Sequence, residues 1–397
     1  MLMTTKSYIF TLLCLMTAWM GAQAQKTVVA DAVTRQPVEH ASLYAKEGGA
    51  FHSVVADDEG RAVVNFPFRR LTVSHLNYEK QVLTRVPDTV WMKPLVRMVN
   101  EVTVYSGEPA WIRKTLKRFV KEKATRYHTR PEVLHYDYTS QSISGRQYYQ
   151  YQSQGWMQIP SPEKKGYGFH QFSGHITAVD STTLTDVANL RRMLYEDFVD
   201  EMDKKFISGH RFYIDYDYEG GKNEVSLIFR DKKHGDDRGH FVIDTARCVI
   251  KSAQRHIGLK TNKLLRVSDF MLSMARIVTG YKIHEWMVDY RVTYEETAGS
   301  WHPADIAYKF YFKAEDPNDT DEQSQEFSRQ TGGGFSNMES TVTLRHTDMA
   351  PDDSTRWMSL PRSWILKYNT DEQRAYEVEL SHLPATFELY SDSEVQE

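Results

Sequence analysis

Disulfide bonding is the first thing this sequence rules out. Only two cysteines occur in 397 residues. Cys14 lies inside an apolar leader, so once the leader is removed Cys248 stands alone and no intrachain bridge can form. Stability must come from packed cores. Long apolar runs are also scarce. The leader's run from Tyr8 to Met20 falls short of the ~20 residues that a membrane-crossing helix needs, and no later stretch stays free of charge long enough. Charge of one sign is lacking as well: Lys+Arg 49 stands against Asp+Glu 53 for a net −4, too mild to point to nucleic acid. Phosphate-cradling Gly-Lys loops and zinc-type His-Glu-x-x-His helices are missing too.

What the chain does have begins with an export signal. Lys6, the apolar run and Ala22-Gln23-Ala24 predict a signal peptide over residues 1–24, cut before Gln25. Cys14 sits away from the cut, which argues against lipid attachment there. The remaining length suits two or three cores. An aromatic share of 12% with Tyr 23 leans toward β-structure.

Residues 25–105 read as short strands separated by turns. Thr27-Val28-Val29 leads through the polar Asp31 to Pro37 segment into Ala41 to Tyr44, which implies a hairpin. Asp57-Asp58-Glu59-Gly60 is a further turn, where Gly tolerates positive φ. Ala62 to Phe66, Leu71 to Ser74, Val90 to Met92 and Glu101 to Val104 continue the series. Strands at this spacing predict a seven-stranded type of β-sandwich. The stretch resembles the carboxypeptidase regulatory-like, or transthyretin-like, domain found at the N-terminus of Bacteroidota-type envelope proteins. The matching residues are Asp31, Thr34, Pro37, Val38, Ala41, the Asp57 to Gly60 turn, Val73-Ser74, Asn77-Tyr78, Leu95 and Glu101 to Val104. Val28 and Asn77 depart from it, since the family commonly has Gly at both places. The resemblance implies a sandwich with no catalytic residues of its own, and an exported protein of the periplasm or the periplasmic face of the outer membrane.

Ser106 to Pro109 reads as a linker. Beyond it, residues 108–347 predict an α+β domain. Ile112, Leu116, Phe119 or Val120, Lys123 or Ala124, and Tyr127 recur at helical spacing opposite Arg113, Lys114, Lys117, Arg118 and Lys121. Such a helix covers a sheet with its charges in water, or docks peripherally on anionic lipid. A single second helix is expected from Asp186 to Phe206, with Leu190, Leu194, Phe198, Met202 and Phe206 on one stripe. The rest predicts an antiparallel meander: Phe212 to Glu219 as a strand, Gly220-Gly221 as a turn, Glu224 to Phe229, Phe241 to Ile243, Val249 to Lys251, and Tyr281 to Tyr294 joined to Trp301 to Phe312 through Ala298-Gly299-Ser300.

This region is similar to the portion following the same sandwich in Bacteroidota outer-membrane proteins of unknown function, without their terminal barrel. The cues are the Trp111 to Tyr127 helix, Phe241 to Asp244, Cys248 to Ile250 and Gly299 to Pro303. The order of elements also resembles the curved, helix-covered half-barrel of lipoprotein carriers. Residues 348–397 read as a C-terminal extension with a disordered end from Ser391, and Glu315 to Glu326 with Gly332 to Gly334 as an exposed loop.

Chemical motifs give way to plainer readings. Asp215 to Gly220 opens like a calcium loop but has Ser226 where a bidentate Glu is needed. His170 and His175 fall on opposite strand faces unless Ser173-Gly174 bends the chain. His234, Asp236, Asp237 and His240 read as a charged turn. Gly334 to Met338 lacks the closing Gly of a nucleophile elbow, and Ser161 to Lys164 sits in a turn. Cys248 reads as a small buried hydrophobe within a strand. No catalytic, metal or cofactor residue is assigned. The expected function is therefore an exported, non-catalytic envelope protein that binds or scaffolds an apolar ligand, a glycan or an envelope partner. The alternative is a periplasmic hydrolase acting on peptide or glycan, motivated by Glu285 and Asp289 near His284.

Overall fold

A computed structural model describes residues 25–47, 50–95, 108–144, 147–179, 183–185, 188–233, 235–258, 282–315, 334–347, 351–352, 355–359, 365–367 and 375–380. Residues 1–24 of the expected leader, Glu101 to Val104, residues 316–326 of the expected acidic loop and the end from Ser391 lie outside them. The chain is mainly β with a few helices, and it divides into two compact units, Met1–Met98 and Val99–Glu397.

The first unit is a sandwich of seven strands: β1 (Gln25–Asp31), β2 (Ser42–Glu47), β3 (Ala50–Val55), β4 (Arg61–Val64), β5 (Leu71–Ser74), β6 (Gln81–Leu83) and β7 (Thr89–Met92). One sheet has the order β4-β1-β7 and the other β3-β2-β5-β6. Val29, Val64 and Val90 from the first pack against Leu43, Leu71 and Val73 from the second, as alternate residues on facing sheets do. The expected hairpin between the first two strands is not formed, because β1 and β2 belong to different sheets. The turn that follows β1 carries the chain across. Buried Asp31 holds it, accepting the Val33 and Thr34 amides at 2.6 and 2.8 Å and the Tyr78 hydroxyl at 2.9 Å. Gly60 has φ 70°, and a Cβ there would sit 2.3 Å from the Val29 carbonyl oxygen, so both backbone conformation and space require glycine.

The second unit opens with α1 (Ala110–Glu122), extended by one 3₁₀ turn, Lys123–Thr125. Strands β8 (Glu132–Ser144), β9 (Gln147–Ile159), β10 (Gly168–Val179) and β11 (Thr183–Thr185) follow. Next come α2 (Ala188–Tyr195), α3 (Phe198–Glu201) and α4 (Lys204–Gly209). The remaining strands are β12 (His210–Ile214), β13 (Glu224–Asp231), β14 (Asp237–Asp244), β15 (Val249–Ile257), β16 (Lys282–Thr297), β17 (Ser300–Glu315), β18 (Gly334–Arg345), β19 (Met358–Ser359), β20 (Ile365–Lys367) and β21 (Ala375–Leu380).

One large curved antiparallel sheet has the order β12-β13-β14-β15-β16-β17-β18-β8-β9-β10-β19, with β21 also on β10, while β11 and β20 pair separately. The meander from β12 to β18 closes back on β8. One face carries the helices. Ile112, Leu116 and Phe119 of α1 enter a core with Tyr136, Tyr151, Phe198, Phe206, Phe212, Phe229, Phe241, Tyr290 and Tyr294. Centroid separations such as 5.2 Å for Phe206 and Phe229 and 5.5 Å for Phe198 and Phe241 show these rings in direct contact.

The single helix expected over Asp186 to Phe206 is broken into three. Asp197 and Asp203 each cap a new start, with their side chains accepting the Val199 and Phe206 amides, and a capping carboxylate competes with helix continuation. The apolar stripe still points inward, because Leu190, Leu194, Phe198, Met202 and Phe206 are all buried. The strand expected through Glu219 stops at Ile214. Asp215 accepts the Asp217 amide at 3.2 Å and turns the chain, leaving Tyr216 75% exposed. Ala298 and Gly299 both have positive φ, 43° and 85°, and make the tight turn between β16 and β17.

Candidate functional site

A cluster of buried polar groups lies where α2–α4 meet the strands. Asp197, 1% exposed, sits between α2 and α3. Its Oδ1 accepts the Tyr294 hydroxyl at 2.6 Å and the Tyr290 hydroxyl at 3.0 Å, while Oδ2 accepts the Val199 amide at 3.2 Å. Four residues apart on one strand, the two tyrosines share a face and reach the same atom. Burial, with Asp200 adding repulsion, pushes the Asp197 pKa up to about 7 despite those three bonds. The Tyr290 hydroxyl also lies 3.3 Å from the Met193 carbonyl. One hydroxyl proton cannot serve both acceptors fully, and the shorter contact is the one to Asp197.

A second buried acid behaves oppositely. Asp237, at the start of β14 and 0% exposed, takes two parallel bonds from Arg255, Nε and Nη2 each at 2.7 Å. Burial opposes ionisation, but Arg255 and the nearby His210 imidazole outweigh it and hold this carboxyl well below the usual range. His210 Nε2 lies 3.1 Å from Asp237 Oδ2 without hydrogen-bond geometry. Its Nδ1 is 2.7 Å from the Phe206 carbonyl, and its ring stacks on Phe206 at 4.0 Å.

Cations of α1 fasten the same helices. Arg113 donates to the Ile207 and His210 carbonyls at 2.6 and 3.0 Å and pairs with Glu108. Lys123 Nζ reaches the Val199, Asp200 and Met202 carbonyls at 2.7, 3.0 and 3.3 Å. Burial lowers the Lys123 pKa, against the pull of Asp200, Asp197, Asp203 and Glu201. These bonds satisfy carbonyls at the ends of α3 and α4 that have no helical partner.

Between these clusters is a cleft lined by Arg192, Glu196, Phe198, Arg255, Val288, Tyr290 and Tyr308. It has room for about one water. Arg255 is committed to Asp237, and Tyr290 to Asp197 and Met193. Among the described residues, aromatics pack on one another across the helix-covered face, and Asp197, Asp237 and Arg255 bond to neighbouring groups.

Residues singled out in the sequence scatter over the fold. Asp289 of β16 lies on the opposite face, where His256 Nδ1 is 2.8 Å away. The pairing register continues that row as His256, Asp289, Lys309, Glu339, Gln141 and Gln150 across six neighbouring strands. Lys309 is fully buried there, 3.6 Å from Glu339. The side chains of His284 and Glu285 lie outside the described residues, as does His234. Asp237 and His240 belong to β14 rather than a charged turn, and Asp237 is buried for the reason given above. Among the described residues no group of three or more His, Cys, Asp or Glu is placed to hold a metal. A register shift between Gln171 and Ser173 pairs His170 with Trp156 and His175 with Gln152, putting both positions on one face. Ser161 to Lys164 is a turn closed by the Ser161 amide on the Lys164 carbonyl at 2.7 Å. The Gly334 to Met338 segment is the start of β18. Cys248 is buried with φ 56° and ends the turn before β15 instead of standing within a strand. Tyr290 and Tyr294 were legible only as alternating strand residues, and nothing in their spacing names Asp197 as partner.

Among the described residues no helix is long and apolar enough to cross a membrane. No family model and no curated protein matches the chain. Among solved structures, a LolA superfamily protein from Nitrosomonas europaea is similar over 61% of this chain and 97% of its own, at 9% identity and a TM-score of 0.18. So loose a superposition carries no argument about ligand or activity.

Proposed function

We propose that the chain is an exported, non-catalytic protein of the periplasm or the periplasmic face of the outer membrane, which works by holding an envelope molecule on an accessible face. Its first unit is read as a carboxypeptidase regulatory-like sandwich that mediates contacts, and peripheral association with the membrane is part of this reading. The supporting observation is the state of the helix-covered side of the large sheet. Its aromatic residues pack on one another, and its cleft takes about one water. Asp197 and Asp237 are engaged with neighbouring side chains. A ligand entering there must break these bonds, whereas the outer face of β8–β10 already exposes Asp137, Gln152 and Gln154.

The test is native mass spectrometry of the full chain purified from its own envelope, combined with cosedimentation on isolated envelope fractions. Retention on the envelope material with the unliganded protein mass is expected. Loss of that retention, or turnover of cell-wall peptide or polysaccharide that vanishes in Glu285→Gln, would overturn the reading.

A further inference from the structure

The outer face of β8–β10 carries a side-chain arrangement that the packing of the fold does not require. Alternation and pairing place His135, Trp156 and His170 in one cross-strand row, and Asp137, Gln154 and Ser173 in the next. Thr139 and Gln152 continue the series in a third row. Trp156 is the hub. Phe172, the extra residue at the β10 bulge, meets it edge-on at 4.5 Å, and His170 stacks on it at 5.9 Å. His135 closes the cluster, 6.3 Å from Phe172. Phe172, His170 and His135 remain partly exposed, and Asp137, Gln152 and Gln154 are exposed.

Hydrogen-bonding capacity here is unspent. The Trp156 Nε1–H is buried with no partner among the described residues, in a side chain only 9% exposed. The Asp137 and Gln152 side chains make no hydrogen bond among the described residues either. Among the described residues the Gln154 side chain hydrogen-bonds to Ser173, at 2.9 Å. Buried indole N–H groups are ordinarily satisfied, and leaving one without a partner costs about 1–3 kcal/mol. The segment around Arg356 bounds one end, its carbonyl 3.0 Å from His170 Nδ1.

We infer that this face is a binding site for a neutral oligosaccharide. The inference rests on the proposed function and names the face and the ligand class. A sugar offers apolar C–H faces to aromatic rings and hydroxyls that both donate and accept. Glutamine amides likewise do both, while a carboxylate accepts and an indole N–H donates. Three strands by three rows span roughly 10 by 14 Å, the footprint of a short oligosaccharide. An apolar chain would leave the amides of Gln152 and Gln154 unanswered. An anionic polymer would meet the exposed Asp137. A peptide adding as a strand needs a free sheet edge, and β9 is paired on both sides.

The test uses the full chain with maltohexaose, cellohexaose and mannohexaose, and a heparin hexasaccharide as the anionic control. Saturation-transfer NMR reads the sugar C–H protons, and the Trp156 indole N–H resonance, assigned through Trp156→Phe, reads the protein. At least one neutral hexasaccharide is expected to bind and shift that resonance. Gln152→Ala and Phe172→Ala are each expected to weaken binding about tenfold or more, and Trp91→Ala in the first unit should leave it unchanged. Gln152 is exposed, so its variant keeps the fold and the test does not depend on Phe172→Ala remaining native. Failure of all three neutral sugars to bind, preference for the heparin fragment, or binding indifferent to both variants would overturn the assignment. If the chain still cosediments with its envelope after such a failure, the proposed function survives and only the glycan site falls.

Discussion

The helix-covered face of the large sheet and the outer face of β8–β10 treat polar groups in opposite ways. Beneath the helices, Asp197, Asp237 and Arg255 are buried and tied to protein partners. On the outer face of β8–β10, Asp137 and Gln152 reach solvent and the Trp156 N–H has no partner among the described residues. Partners bought by burial hold elements in place, whereas unspent donors and acceptors beside aromatic rings await another molecule. The contrast separates what holds this protein together from what it offers.

The sharpest way to break the comparison is to remove a partner on the inner side. Arg255→Met leaves Asp237 as a buried, uncompensated acid and should cost about 3–5 kcal/mol in urea unfolding. A loss below about 1 kcal/mol would mean that the inner face is not held as described.

Next in size is a pH effect. Asp197 is raised from 3.8 to about 7 in the folded chain, so the native state keeps a proton that the unfolded state releases. Its contribution is complete below about pH 4 and is lost as pH rises toward 7, up to about 4 kcal/mol. Asp197→Asn should flatten this slope in urea titrations between those pH values. Asp237, held low, has the reverse sign: it stabilises above its unfolded pKa and loses that stability under strong acid. A wild-type chain that gains stability steadily from pH 4 to 7 would contradict the Asp197 account.

Lys123→Met comes third. It strips three carbonyls of their donor and should cost about 1–3 kcal/mol, with faster amide exchange in α3 before global unfolding. The smallest effect sharpens the comparison from the other side: Gln152→Ala should change stability by less than about 0.5 kcal/mol while weakening sugar binding.

Much of the architecture was legible in the chain, because periodicity and turn residues are local signals. The α1 stripe, the Ala298-Gly299 turn and the apolar strand at Phe241 to Ile243 are read directly from the sequence. The break of one expected helix into three was readable in Asp197 and Asp203, which are good caps placed where the apolar stripe alone argues continuity. The exchange between sheets after β1 was not readable, since the Asp31 turn suits a hairpin equally and the outcome rests on long-range contacts, the pairing of β1 with β4 and β7 and the bond from Tyr78, 47 residues on. The outer-face site was hidden for a similar reason. Trp156, Asp137 and His170 come from three strands, and the β10 bulge that adds Phe172 is a property of pairing.

Hydrogen–deuterium exchange of the full chain, free and bound to its own envelope material, tests the central claim most directly. New protection confined to β8–β10, with α2–α4 unchanged, is the predicted result. Protection or release concentrated in α2–α4 and the Tyr290 to Tyr294 segment would show that the molecule is held beneath the helices and would contradict the account.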